Sequence, residues 1–255
     1  MERAQRVKVY WRPGCSSCVK VKEFLARLGV EFDSVNVSSR PEAMEELLAL
    51  GVRTVPVVSR GREYVFAQEL ADVSAFVGRA VDFHRLPPEA LMRKWRTVLS
   101  AAQRHVMQIP AERLAERATE GRDRSVRDLA YHVHQVPDSF LRAVEEGVQD
   151  LTSVYSRPPP PEVTEVGHIR AYAVSVLERL ERWWEREGAS GAATAMLETY
   201  YGEQRLHHVM ERCTWHSAQH ARQIVAVLDR FGIAADGPLT PDDYRGLPMP
   251  DALWE

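Results

Sequence analysis

An α/β domain followed by an all-α four-helix bundle is the fold that this sequence of 255 residues predicts. Short apolar runs alternate with helical patterns over the first 80 residues or so, whereas long helical patterns without strand signals follow from about residue 90. A proline-containing stretch separates the two regions. We therefore divide the chain into an N-terminal domain of residues 1–80, a linker of residues 81–89, and a helical domain of residues 90–255 that includes the C-terminal tail.

The composition is typical of a folded, water-soluble protein and excludes several classes of function. A net charge of −3 gives no general basis for binding nucleic acid or an anionic membrane. No apolar run is long enough to cross a bilayer, and the N-terminus has no signal-peptide core. Three cysteines are too few for a disulfide framework. We therefore expect a cytoplasmic protein that has neither nucleic acid nor membrane as a partner.

The N-terminal domain is predicted to run strand, helix, strand, helix, strand, strand, helix. The first helix ends at Gly29 and the second begins at Pro41, in the positions that these residue types favour. The third and fourth strands pair as a hairpin around Arg60-Gly61. The predicted strands are 7–11, 31–37, 55–58 and 63–66, and the predicted helices reach to about residue 28, from 41 to about 50, and from 69 to 76.

Cys15 and Cys18 lie between the first predicted strand and the first predicted helix. A Cys-x-x-Cys pair in this position is typical of a thioredoxin-like redox site. Unpaired N–H groups and the helix dipole stabilise a thiolate at Cys15, and Cys18 is close enough to resolve a mixed disulfide. The alternatives are half of a four-cysteine zinc site or two incidental cysteines. A zinc ion would need two further ligands nearby, but residues 1–80 contain no histidine and no other cysteine. We therefore predict Cys15 and Cys18 as a catalytic pair.

The segment Thr54-Val55-Pro56 places a proline inside an apparent strand, which demands an edge, a bulge or a special bond. Together with the upstream cysteines, it resembles the Thr-Val-Pro of the glutaredoxin family, over residues 7–77. In that family the proline is cis and its neighbouring backbone faces the thiols. The resemblance implies a thioredoxin fold and a thiol–disulfide oxidoreductase, whose substrate-binding residues we assign as Trp11, Thr54, Val55 and Pro56.

One difference from the family concerns the substrate. Glutathione-binding glutaredoxins carry Gly-Gly before the last helix, where this chain has Phe66-Ala67-Gln68. Another low-molecular-weight thiol or a protein disulfide is therefore an equally good candidate for the substrate.

Four long helices are predicted in the second domain, which favours a four-helix bundle. Ser125 is a good N-cap for the second helix, and Pro137 is expected to kink that helix or split it. We find no internal repeat in the sequence. The predicted helices are 91–109, 126 onwards, 161–187 and 203–231, with a short segment at 196–201 before the last.

Two histidines of the last helix, His216 and His220, are four residues apart and therefore project from one face. That face is apolar, and burying two imidazoles without partners costs free energy, which a shared metal ion would avoid. His132, beside the apolar stripe of the second helix, is the natural third ligand, whereas His134 is expected to be exposed. The alternative is that these histidines are ordinary core or surface residues without a metal.

Three segments of this domain, at residues 125–133, 214–224 and 246–254, resemble the DinB/YfiT-like family. Its members are four-helix bundles, often dimeric, in which one histidine of the second helix and two of the fourth hold a divalent metal. The resemblance implies His132, His216 and His220 as metal ligands and a homodimer through the helical domain. Zn²⁺ or Ni²⁺ suits three histidines, although ligand type does not settle the metal. Cys213 remains open as a fourth ligand, a mimic of a substrate thiol, or a small buried residue.

Together these features predict a thiol–disulfide oxidoreductase coupled to a metal-dependent transferase. Such a transferase would use a low-molecular-weight thiol as cosubstrate, because some DinB-like proteins resemble metal-dependent thiol transferases. The alternative is a redox-linked metal-binding or ligand-binding sensor without turnover. The partners expected for the redox site are a small-molecule thiol or a protein disulfide.

Overall fold

The fold is described from a computed structural model in which residues 6–254 are defined. These residues form two compact units. The first comprises residues 6–84 with 250–254, and the second comprises residues 85–249. The predicted fold class is confirmed, since a mixed sheet with helices forms the first unit and helices dominate the second. Among the described residues, no helix has both the length and the apolar composition that crossing a membrane requires.

A four-stranded mixed sheet in the order β2-β1-β3-β4 is the centre of the first unit. Strand β1 pairs in parallel with β2 and antiparallel with β3, which in turn pairs antiparallel with β4. Three helices complete the unit. Its elements are β1 Val7–Trp11, α1 Ser16–Arg27, β2 Phe32–Asn36, α2 Pro41–Ala49, β3 Val57–Arg60, β4 Glu63–Phe66 and α3 Leu70–Phe76.

Both faces of this sheet are covered, because alternate residues of β1 point to opposite sides. Val7 and Val9 pack with buried residues of α1 and α3. Tyr10 packs on the other face with Ala43 and Leu47 of α2. The C-terminal segment also belongs to this unit, since the Glu23 carboxylate accepts the backbone N–H groups of Asp251 and Ala252 at 2.8 and 2.9 Å. The sequence had placed that segment with the helical domain.

Four long helices pack against one another in the second unit: α4 Pro88–Met107, α5 Val126–Glu146, α7 Val166–Thr194 and α8 Leu206–Arg230. Helices α4 and α5 each contact both α7 and α8. The interior contains large aromatic side chains, with Phe140 in edge-on contact with both Trp95 and Trp183. The Trp95 indole N–H donates to the Ser217 hydroxyl at 3.0 Å, so this buried polar group is satisfied.

Smaller elements connect the long helices, and the sequence did not predict two of them. Hairpin β5–β6, Arg117–Thr119 with Arg122–Ser125, leads directly into α5, and hairpin β7–β8, Met196–Thr199 with Gly202–Arg205, leads into α8. The expectation of no strands in this region is therefore wrong. Helix α5 is also one helix across Pro137 rather than two. Two short helices, α6 Leu151–Tyr155 and α9 Pro241–Tyr244, complete the unit.

Candidate redox and metal sites

The two cysteines of the first unit lie at the start of α1, with their sulfur atoms at disulfide distance and their Cα atoms 5.2 Å apart. Cys15 is the N-cap residue, and its Sγ accepts the backbone N–H of Cys18 at 3.2 Å. Cys18 is fully buried, whereas Cys15 is partly exposed. A disulfide substrate can therefore reach Cys15, and Cys18 is placed to attack the sulfur of Cys15 from inside.

The residues predicted to bind substrate lie at the same end of the sheet as the cysteines. Tyr10 pairs with Val57 at the end of the β1–β3 ladder, so the next residues outward are Trp11 on one strand and Pro56 on the other. The Val55–Pro56 peptide bond is cis, as in the family that this segment resembles. Thr54 and Val55 are half-buried. The Trp11 ring is covered by Lys22, whose Nζ lies 4.1 Å from the ring centroid.

His132 of α5 and His216 and His220 of α8 come together in the interior of the second unit. One ligand-type nitrogen from each of the three rings lies within 4.8 Å of the other two. The centroids of the His132 and His220 rings are 4.5 Å apart, and those of His216 and His220 are 4.7 Å apart. All three residues are buried.

Hydrogen bonds define which nitrogen carries the proton in two of these rings. His132 Nδ1 lies 2.7 Å from the carbonyl oxygen of Tyr155, and His220 Nδ1 lies 2.6 Å from Oε1 of Gln223. Both oxygens can only accept, so each Nδ1 is the donor. A neutral imidazole has one proton, and Nε2 of His132 and of His220 therefore keeps a lone pair. Nε2 of His220 is buried and has no hydrogen-bond partner within residues 6–254.

The surroundings keep the imidazoles of His132 and His220 neutral. Burial, followed by the nearby positive charge of Arg124, lowers the pKa of His220 to about 3. The same two causes, in the same order, lower the pKa of His132 well below its usual value of 6.5. Metal ions bind the neutral form of histidine, so the site is in the protonation state that coordination requires at neutral pH.

Tyr155 of α6 forms one side of the cluster, a role that the sequence did not reveal. Its ring contacts those of His132 and His216 edge-on, with centroid distances of 5.6 and 5.7 Å. Its hydroxyl accepts a hydrogen bond of 3.1 Å from the buried guanidinium of Arg212. Helix α6 has only five residues, which is too short for a helical pattern to be recognised in the sequence.

Cys213 and His134 lie outside the cluster. Among the described residues, the group of side chains that could hold a metal ion consists of the three histidines and does not include Cys213. Burial raises the pKa of the Cys213 thiol to about 11. His134 is buried rather than exposed, so its predicted exposure is wrong. It is buried because the surrounding helices enclose α5 on more than one side. Its Nδ1 donates to the Ala130 carbonyl at 3.2 Å within α5.

A mixed sheet that carries an accessible and a buried cysteine at a helix start, beside a cis-proline, defines a thiol–disulfide redox domain of the thioredoxin type. The glutaredoxin family profile matches residues 7–65. Through this domain the chain belongs to the glutaredoxin family.

Individual relatives agree with this assignment. The glutaredoxin-like protein NrdH of Lactococcus lactis subsp. lactis (strain IL1403) is 33% identical over 54 residues, which make up 21% of this chain and 75% of that protein. The glutaredoxin-like protein NrdH of Escherichia coli (strain K12) is 39% identical over 56 residues, or 22% of this chain and 69% of that protein. Gene 56 protein of Mycobacterium phage L5 is 43% identical over 53 residues, or 20% of this chain and 52% of that protein. These similarities concern the first unit, so the function of the helical unit has to be argued from its own side chains.

Proposed function

We propose that this chain is a two-site thiol enzyme, in which a disulfide reductase and a metal-dependent thiol transferase share one polypeptide. The observation that carries the first activity is the pairing of a partly exposed Cys15 with a buried Cys18 at the start of α1. The observation that carries the second is the buried cluster of three histidines, in two of which, His132 and His220, burial lowers the pKa. The resemblance of the helical segments to the DinB/YfiT-like family supports the second activity but does not establish it.

In the redox reaction the Cys15 thiolate attacks one sulfur of a substrate disulfide. A mixed disulfide with Cys15 forms and the first substrate thiolate leaves. Cys18 then attacks the Cys15 sulfur, which releases the second substrate thiolate and leaves the Cys15–Cys18 disulfide. Two electrons pass from the protein dithiol to the substrate, and an external dithiol has to reduce the protein for the next cycle.

The substrate of this site is proposed to be the disulfide of a small thiol other than glutathione, or of a protein. The chain has Ala67 and Gln68 where glutathione-binding glutaredoxins carry glycines, and both side chains are buried. Glycine has no side chain, so these two buried side chains fill space that glycines at the same positions would leave open. The backbone beside the cis-proline remains available to an extended substrate, which supports a peptide disulfide as an alternative to a small one.

Substitution of each cysteine tests the redox assignment. We expect Cys15→Ser to abolish reduction of both a small disulfide and a protein disulfide. Cys18→Ser keeps the attacking thiol but lacks the resolving one, so it should accumulate a mixed disulfide at Cys15 that intact mass spectrometry detects. Cys213→Ser is the matched control, because that thiol is buried and its pKa is raised, and it should retain full activity. Full reductase activity in Cys15→Ser would disprove the assignment.

The three histidines fit a divalent metal ion, of which Zn²⁺ and Ni²⁺ are the best candidates. Two of the rings hold a proton on Nδ1 and keep the lone pair of Nε2, and the His220 Nε2 is buried without a hydrogen-bond partner in the described part of the chain. A buried nitrogen with a lone pair is costly unless something binds it. Zinc–nitrogen bonds are about 2.0–2.1 Å long, so nitrogens within 4.8 Å of one another must close in slightly on an ion.

The charge of the site favours an anionic partner for the metal. An imidazole ligand carries no negative charge, and Arg124 adds positive charge beside His132 and His220. A bound divalent ion lowers the pKa of a thiol that it coordinates and so supplies a thiolate nucleophile at neutral pH. The role of this chain is to hold the three imidazoles in position, with Tyr155 as one side of the site. In the transfer proposed here, the thiol loses its proton and its sulfur forms a bond to an electrophilic carbon. The bond between that carbon and its leaving group breaks, and the leaving group departs with the electron pair of that bond.

Elemental analysis of the purified full chain tests the metal site. We expect about one divalent ion per chain, and we expect His216→Ala to lose it, because one of three ligands is removed. His84→Ala is the control, since that side chain is 90% exposed, and it should keep the metal. Equal metal content in His216→Ala and the natural protein would contradict the site. Turnover of a thiol with an electrophile supports the transferase, whereas tight metal binding without turnover supports the sensor.

A further inference from the structure

Gln223 is a buried glutamine of α8 that contacts one member of the histidine cluster. It follows His220 by three residues, so both side chains project from the same side of the helix. Its exposed fraction is 1%, as is that of His220. The distance from its Oε1 to His220 Nδ1 is 2.6 Å. A close hydrogen bond between two fully buried side chains is strong, because no water competes for either group.

The direction of this hydrogen bond determines the chemistry of the other ring nitrogen. A glutamine Oε1 accepts and cannot donate, so the proton lies on Nδ1 of His220. Nε2 is then the nitrogen with the lone pair, and it is the one available to the cluster formed with His132 and His216. Without an acceptor at Nδ1, the proton could move to Nε2 and occupy the position that a metal ion needs.

His132 shows the same arrangement with a different acceptor. Its Nδ1 donates to the backbone carbonyl of Tyr155, which is present whatever the side chain at that position. The tautomer of His132 therefore does not depend on a particular residue type, whereas that of His220 depends on the side chain of Gln223. In metal sites, loss of a partner of this kind typically lowers metal affinity about 10- to 100-fold.

We infer that Gln223 is a positioning residue, whose side-chain oxygen holds the proton of His220 on Nδ1 and so keeps Nε2 available to a metal ion. This inference rests on the metal site proposed above. Gln223 does not touch the ion itself. A buried glutamine that served only to fill space in the bundle would affect stability but neither the tautomer nor the metal affinity.

Nuclear magnetic resonance of the metal-free full chain, labelled with ¹⁵N at histidine, tests the first half of the inference. The two nitrogens of a neutral imidazole have different ¹⁵N shifts, so the protonated one is identified directly. His220 is expected in the Nδ1–H form, and Gln223→Leu is expected to shift it towards the Nε2–H form. A His220 ring that is Nε2–H in the natural protein would overturn the inference. This readout needs no metal, so it decides the tautomer even if the chain binds no ion.

Competition for Zn²⁺ with a chromophoric chelator tests the second half. Gln223→Leu should bind Zn²⁺ about 10- to 100-fold more weakly than the natural protein. Gln223→Glu keeps an acceptor oxygen and should restore the affinity. Gln219→Leu is the matched control, because Gln219 is an equally buried glutamine one residue before His220, and its Oε1 accepts from Arg222. Unchanged affinity in Gln223→Leu, or an equal loss of affinity in Gln219→Leu, would overturn the inference about Gln223. If the natural protein binds no Zn²⁺, the metal site itself is overturned.

Discussion

A buried imidazole has two nitrogens that need partners, and His132, His134 and His220 differ in the partners available to them. His132 and His220 donate from Nδ1 to an oxygen and therefore keep the lone pair of Nε2. His134 donates from Nδ1 to the Ala130 carbonyl of its own helix, and its Nε2 has no hydrogen-bond partner among residues 6–254. The three clustered rings gain a shared partner if a metal binds, whereas His134 lies outside the cluster. We therefore expect His134 to make stability depend on pH.

The pH dependence follows from the lowered pKa of His134. Burial lowers that pKa from 6.5 to about 4, so the unfolded chain takes up a proton in this range before the folded chain does. The contribution to stability is complete above about pH 6.5 and is lost as the pH falls towards 4. We expect the natural protein to lose about 2–3 kcal/mol more unfolding free energy than His134→Gln between pH values near 7.5 and near 4.5.

Urea unfolding in the presence of a chelator measures this difference without a contribution from metal release. Tryptophan fluorescence reports mainly on the helical unit, which contains Trp95, Trp183, Trp184 and Trp215 out of six tryptophans. Equal losses of unfolding free energy in the natural protein and in His134→Gln would show that protonation of His134 does not cause the pH dependence.

Helices α5 and α8, which carry the clustered histidines, each start directly after a hairpin. The sequence predicted neither hairpin. Ser125 is the last residue of β6 and also the N-cap of α5, where it forms a capping box with Asp128. Arg205 ends β8 and precedes α8 in the same way. The cap at Ser125 could be predicted, because a serine or threonine accepts N–H groups at helix starts. The hairpins could not, because their three- and four-residue strands are mostly polar and lack apolar alternation.

The side chains in and around the histidine cluster also differ in how far the sequence could predict them. His216 and His220 could be paired from spacing alone, and Gln223 could have been added, since it is seven residues after His216 on the same buried stripe. Tyr155 could not, because it comes from a five-residue helix in a loop whose position depends on the packing of the whole unit. The error at His134 has a related cause: a helix enclosed on several sides has no polar face, so helical spacing does not identify an exposed position.

At the scale of the whole molecule, the helical unit repeats one order of elements. Helix α4, a hairpin and α5 are followed by α7, a hairpin and α8, with α6 between the two halves. In each half the second long helix carries the clustered histidines. The sequence shows no repeat, because helices can keep the same packing with many combinations of apolar residues. The fold class of both units was nevertheless predictable, since apolar periodicity distinguishes strands from helices without reference to tertiary contacts. Cytoplasmic location and dimerisation stay predictions.

Because each unit has its own buried core, we expect a metal ion to stabilise the helical unit without stabilising the redox unit. A ligand that binds only the folded state adds about 2.7 kcal/mol at a free concentration of 100 times its Kd. Hydrogen exchange of the full chain with Zn²⁺ should therefore slow in peptides of α5 and α8 and stay unchanged in β1, β3 and α1. His216→Ala should show no slowing, because its metal site is incomplete. Equal protection of both units by Zn²⁺ would mean that they unfold together, and it would contradict two independently folding units.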